Sequence, residues 1–87
     1  MKRKLLKRIK NIFEVEVDLS KAEGFYYWVG DATLLFEDRC TYCRFLNDQS
    51  LECWLDDFAY KVRQYMQENS YKTFKEAVDA LQERINK

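Results

Sequence analysis

The chain has no histidine, no proline, two glycines and three cysteines. Without histidine it lacks the usual general base near neutral pH, and no glycine-rich phosphate loop of either common kind is present. Most small-molecule catalysis thereby loses its usual players, and a non-enzymatic role is expected. The lack of proline and scarcity of glycine leave no stretch that reads as a flexible linker, so residues 1–87 are expected to fold as one domain. No apolar run approaches the roughly 18 to 20 residues a membrane span needs, and the basic start lacks an apolar signal-peptide core. A soluble, cytoplasmic protein without a membrane span is the expectation, and an odd number of cysteines fits a reducing compartment better than a disulfide framework.

What the chain does have is apolar and charged side chains in quantity. Apolar residues make up 47% and aromatics 16%, enough to build one core without metal or disulfides. The net charge is zero, yet the charges are segregated. Residues 1–12 hold Lys2, Arg3, Lys4, Lys7, Arg8 and Lys10 and no acid, a charge of +6. Residues 13–60 carry three basic and eleven acidic side chains, a charge of −8, and residues 61–87 carry +2 from six basic and four acidic ones. A basic head on an acidic body sets up local potentials that steer partners even when the total cancels.

The stretch Phe25 to Phe36 organises the middle of the chain. A two-residue turn at Gly30-Asp31 would pair Val29 with Ala32, Tyr27 with Leu34 and Phe25 with Phe36, placing every apolar partner on one side of a hairpin. Before it, Phe13, Val15, Val17 and Leu19 alternate with Glu14, Glu16 and Asp18, the pattern of a half-buried strand, and Ser20 to Gly24 supplies the turn that leads into the hairpin. After it, a turn at Asp38-Arg39 would continue the core face into Cys40 to Leu46. The expected sheet over residues 13–46 is an antiparallel meander of three to four strands.

Helical periodicity frames this sheet. Residues 1–12 place Leu5, Leu6, Ile9 and Ile12 on one stripe among the cations, a basic amphipathic helix. Residues 50–68 carry Leu51, Trp54, Leu55, Phe58, Ala59, Val62, Tyr65 and Met66 on one arc, with Asp48 or Ser50 as N-cap and Cys53 and Tyr60 outside the arc. Thr73 with Glu76 forms a capping-box pattern ahead of a second helix over 74–86, striped by Phe74, Ala77, Val78, Leu81 and Ile85. The fold class is α+β: a short N-terminal helix, the sheet, and two C-terminal helices packed on one sheet face.

Sites for chemistry are few. Asp56-Asp57 and Glu37-Asp38 are adjacent acids of the sort that are ordinarily solvated, and no catalytic residue is assigned. Cys40 and Cys43 have C-x-x-C spacing, but on a strand residues three apart point to opposite faces, and only Cys53 remains as a further thiol. No metal and no cofactor are expected.

Attention therefore moves to surfaces. With the helices on the Phe25, Tyr27 and Val29 side, the opposite side would present Tyr26, Trp28, Leu35, Tyr42 and Arg44, with Tyr60 exposed on its helix. Rings beside an arginine suit a protein-binding patch or a base-stacking platform. Cover by the N-terminal helix, or a homodimer through this patch, would equally bury it. The helix, meander, helix order is similar to that of the double-stranded RNA-binding domain, a family whose last helix offers a basic N-terminus to phosphates. Here that turn carries Glu52, Asp56 and Asp57, so the similarity is one of topology. The expected function is a non-catalytic binding protein that occupies the surface of a protein partner, in the manner of small phage or mobile-element accessory proteins that inhibit host defence complexes. Glu14, Glu16, Asp18, Glu37, Asp38, Asp56 and Asp57 would compete for a basic channel. The alternative is RNA or DNA binding, with Lys2, Arg3, Lys4, Lys7, Arg8 and Lys10 on phosphates.

Overall fold

The computed structural model describes residues 1–86. Three α-helices, α1 (Lys2–Phe13), α2 (Leu51–Glu68) and α3 (Phe74–Ile85), accompany a two-stranded antiparallel sheet of β1 (Asp18–Ala22) and β2 (Phe25–Val29). The α+β class and the three helices match the periodicities. The sheet is smaller than expected, with two strands rather than three or four.

The helix ends follow from side-chain chemistry. Ser50 caps α2 by accepting the Cys53 amide at 3.2 Å, and Thr73 caps α3 by accepting the Glu76 amide at 3.2 Å. Asp48, the other candidate cap, instead closes the preceding 3-10 turn (Leu46–Asp48) by accepting the Arg44 and Phe45 amides. At the end of α2, Asn69 has an extended backbone, and its side-chain amide donates to the Tyr65 carbonyl at 2.8 Å, satisfying one of the orphan carbonyls of the last turn. Helix α1 ends on Glu14 in the left-handed conformation.

Of the two turns expected around Phe25–Val29, the one within Ser20–Gly24 forms. Glu23 and Gly24 both take positive φ, as a two-residue primed turn requires, and the register pairs Leu19 with Trp28, Lys21 with Tyr26 and Ser20 with Tyr27. No hairpin forms at Gly30-Asp31. There the carbonyl of Gly30 accepts both the amide of Thr33, at 3.0 Å, and its hydroxyl, at 2.7 Å. This local bond competes with a strand ladder and winds Asp31–Leu35 into a 3-10 helix. Leu34, expected opposite Tyr27, is left largely exposed. Residues 14–17 also stay outside the sheet, although Val15 and Leu19 are buried and Glu14, Glu16 and Asp18 exposed, as the alternation implies.

Residues 39–43 run along the free edge of β2 without forming a regular strand. Trp28 donates to the Arg39 carbonyl, Thr41 donates to the Tyr26 carbonyl, and Tyr26 donates to the Cys43 carbonyl. Positions 41 and 43 thus share one partner, and Tyr42 between them is extruded with φ 59°. A bulge of this kind ends regular pairing and re-aims a side chain. The Lys61 ammonium ties the segment to α2 by donating to the carbonyls of Asp38, at 2.9 Å, and Cys40, at 3.2 Å.

One core joins the three helices to one face of the hairpin. Leu5 and Ile9 of α1, Leu19, Trp28, Trp54, Phe58, Val62, Phe74 and Val78 form a single cluster, with Tyr26 and Leu35 partly buried against it. Phe58 is its centre: its ring lies 5.1 Å from Phe13 and from Trp28, 5.4 Å from Phe36 and 6.2 Å from Phe74, all edge-to-face.

Candidate interaction face

The sheet has two faces, and the expectation had them reversed. Trp28 is fully buried, its indole N–H donates to the Asp57 carboxylate at 2.8 Å, and its ring meets Trp54 and Phe58. Tyr26 lies edge-on to Trp54 at 6.3 Å. Trp28, Tyr26 and Leu35 therefore belong to the same interior as Phe58, not to a free platform. The physical reason is the register: Leu19 points inward, and a turn at Glu23-Gly24 carries Trp28 in opposite it.

The open side of the hairpin is consequently the one bearing Phe25, Tyr27 and Val29. None of the three joins the core cluster. Across the strand pair, Phe25 faces Ala22 and Tyr27 faces Ser20, so small residues on β1 leave the rings of β2 half-buried rather than covered. The extruded Tyr42, 68% exposed, places its ring 6.4 Å from that of Phe25, and the Arg44 guanidinium stacks over Phe25 at 5.4 Å. Phe45, also exposed, stands under the Lys21 ammonium at 4.6 Å on the other side of the strand pair, beside Tyr26. Of the expected site residues, Tyr42 and Arg44 meet on this face. Tyr60 is exposed but stands on α2, where its hydroxyl accepts a hydrogen bond from Gln64.

Asp38 fixes Tyr42. One carboxylate oxygen accepts the Tyr42 hydroxyl at 2.7 Å and the other accepts the Cys40 amide at 3.0 Å. These two bonds, the tyrosine's first, hold the Asp38 carboxyl below its ordinary acidity range, and the same carboxylate raises the Tyr42 hydroxyl. A depressed carboxyl contributes its anchoring above the unfolded value and loses it as pH falls through the folded value. Acidification below about pH 4 is thus expected to release the Tyr42 ring, read as a change in its ring-proton shifts that Tyr42→Phe does not reproduce. Shifts that stay constant to the point of global unfolding would show that Asp38 does not hold the ring.

The expected acidic surface divides. Asp57 is half-buried and committed to Trp28, while Glu16 and Asp18 pair with Lys10, at 2.8 Å, and Lys2, at 3.1 Å. Glu14, Glu37 and Asp56 are exposed. Among the cations of α1, Arg8 meets Glu52 at 3.4 Å, and Arg3, Lys4 and Lys7 have no ion pair among the described residues. The basic head is thus partly neutralised by the body it docks on.

The role of α1 also differs from that of a detachable arm. Leu5 and Ile9 are completely buried, so deleting residues 1–10 is expected to unfold the protein rather than yield a folded truncation. Loss of the cooperative thermal transition in the truncation checks this, and a truncation that melts like the full chain would place α1 outside the core. Charge reversal at Arg3, Lys4 and Lys7 is the substitution set that tests the cations without touching the interior.

The cysteines are free: Cys40 buried, Cys43 half-buried and Cys53 exposed. Burial raises the Cys43 thiol above its usual acidity range. Among the described residues no group of three or more His, Cys, Asp or Glu side chains is placed to hold a metal ion. A hollow of about 120 Å³ beside α2 is lined by Glu37, Asp38, Lys61, Gln64 and Tyr65, below the roughly 300 Å³ of a small-molecule pocket. No described helix is long and apolar enough to cross a membrane.

Sequence reasoning missed Phe25 and Tyr27 as residues of the open face and Phe45 as exposed. The signal for the first two was present in the inward side of Leu19, which fixes the parity of β2 once the turn is placed at Glu23-Gly24. No family model, curated protein or solved structure matches this chain.

Proposed function

We propose that the protein is a non-catalytic binding protein that occupies the surface of a protein partner through the open hairpin face of Phe25, Tyr27, Tyr42 and Arg44. The observation that carries this reading is Tyr42 itself. A bulky aromatic residue at φ 59° is an uncommon and strained choice, and here the strained residue is also 68% exposed, so its ring contributes little to the interior. Two hydrogen bonds to Asp38 hold that segment in place, which reduces the entropy a partner's binding would cost. Aromatic rings and arginine are the residues enriched at the centres of protein interfaces. A role as an inhibitory accessory protein of phage or mobile-element type is compatible with this mode of action and adds the expectation that the partner belongs to a host complex.

Nucleic-acid binding is the second reading, supported by the outward Arg3, Lys4 and Lys7 and by the stacking surface of the rings. Retention from nuclease-treated cell extract separates the two. A partner held after nuclease treatment and lost with Phe25→Ser/Tyr42→Ala supports the protein interface. Retention abolished by nuclease and by charge reversal at Arg3, Lys4 and Lys7, but indifferent to the face variant, supports nucleic acid and overturns the proposal.

A further inference from the structure

We infer that the segment received by the open hairpin face is cationic: a lysine- or arginine-bearing stretch of the protein partner, its charged group lying over the Tyr42 and Tyr27 rings beside the carboxylates of Asp38 and Glu23. This rests on the reading of that face as a protein contact surface and names the chemistry it selects.

Three observations converge on a cation. A ring of the open face already holds a cation from the chain itself, with Arg44 over Phe25 at 5.4 Å, and the same pairing recurs on the opposite side of the strands, where Lys21 lies over Phe45 at 4.6 Å and Tyr26 at 5.7 Å. Tyr42, 68% exposed, has no such cation over its ring among the described residues, although it sits beside Phe25. Secondly, the anions here have no ion pair. Neither Asp38 nor Glu23 has an ion-pair partner among the described residues, and Lys61, whose charge reaches Asp38, makes its hydrogen bonds to two main-chain carbonyls. Thirdly, a carboxylate lies at the rings themselves. Asp38 accepts the Tyr42 hydroxyl at 2.7 Å and raises it, and the Tyr27 hydroxyl is raised by the neighbouring Cys40 first and by burial, with Glu23 and Asp38 as smaller contributors.

A phosphate brought to these rings would meet both carboxylates, whereas a guanidinium gains from the carboxylates and from the ring faces together. The body around the face reinforces this, since residues 13–60 carry −8. Arg44 brings one positive charge to the face, against the two carboxylates of Asp38 and Glu23.

Titration of the isotope-labelled full chain, followed by amide shifts, tests the inference with three probes: a short arginine/serine peptide, the same peptide with citrulline in place of arginine, and a single-stranded DNA oligonucleotide. The arginine peptide is expected to move the amides of residues 25–29 and 39–44 saturably, and Tyr42→Ala to weaken it about fivefold or more. Glu23→Gln, at an exposed turn position, is expected to weaken it by a smaller factor without altering the unbound spectrum. Equal binding of the citrulline peptide at the same amides would overturn the charge requirement while leaving the contact surface standing. Arginine-peptide shifts confined to other acidic positions, or full affinity in Tyr42→Ala, would overturn the site. Tighter occupation of the face by the oligonucleotide would overturn both the inference and the protein-contact reading beneath it.

Discussion

Trp28→Ala is expected to destabilise the protein by about 3–5 kcal/mol, the range for removing a buried large aromatic side chain. Small domains hold only about 5–15 kcal/mol in total, so this single change removes much of the margin. The loss has two sources. The indole fills the junction between the hairpin, Trp54 and Phe58, and it is the donor for a half-buried carboxylate on α2. Trp28→Phe separates them: it keeps a ring in the junction but leaves Asp57 without its hydrogen bond, at a cost of about 1–3 kcal/mol. Urea unfolding of the two variants is expected to rank alanine well below phenylalanine. A Trp28→Ala protein within about 1 kcal/mol of the parent would place the indole outside the interior, since substitutions at exposed positions stay near that level or below.

Tyr42→Ala is expected to have the opposite profile, with little change in folding stability and a loss of partner affinity of about thirtyfold or more. That factor corresponds to about 2 kcal/mol, the threshold of an interface hot spot. Stability is expected to move little because the ring is exposed and is anchored only through Asp38 at the surface. Tyr60→Ala is the matched control, since Tyr60 is comparably exposed at 55% but stands on α2 away from the hairpin strands. Competition binding with the retained partner reads both variants. Equal losses from the two would point to α2 as the contact surface, and no loss from Tyr42→Ala would leave the bulge without the role proposed for it.

The two variants divide a pair of aromatic residues that the chain pattern treats alike. Phe25, Tyr26, Tyr27, Trp28 and Val29 are apolar on both sides of the strand, so alternation cannot say which side is interior. The parity came from elsewhere: Leu19 is inward, and the positive-φ pair at Glu23-Gly24 sets it against Trp28. A further turn at Gly30-Asp31 would pair Phe25, Tyr27 and Val29 with Phe36, Leu34 and Ala32 as the core side, which is why the partner surface was expected on Tyr26 and Trp28. The bulge at Tyr42 left no trace in residue order either, because it arises from how Tyr26 shares its hydrogen bonds between Thr41 and Cys43.

What the sequence determined by itself is the local layer of the structure: three amphipathic helices, Ser50 and Thr73 as the caps of α2 and α3, and an alternating approach to one hairpin. Each rests on neighbours within a few positions, where spacing alone fixes what can face what. Only the tertiary structure decided which hairpin face is covered, that α1 belongs to the core, and that Asp57 serves Trp28 while Asp38 serves Tyr42. Those outcomes depend on contacts and strand registers between distant segments, and a chain with apolar residues on both sides of a strand leaves such choices to packing.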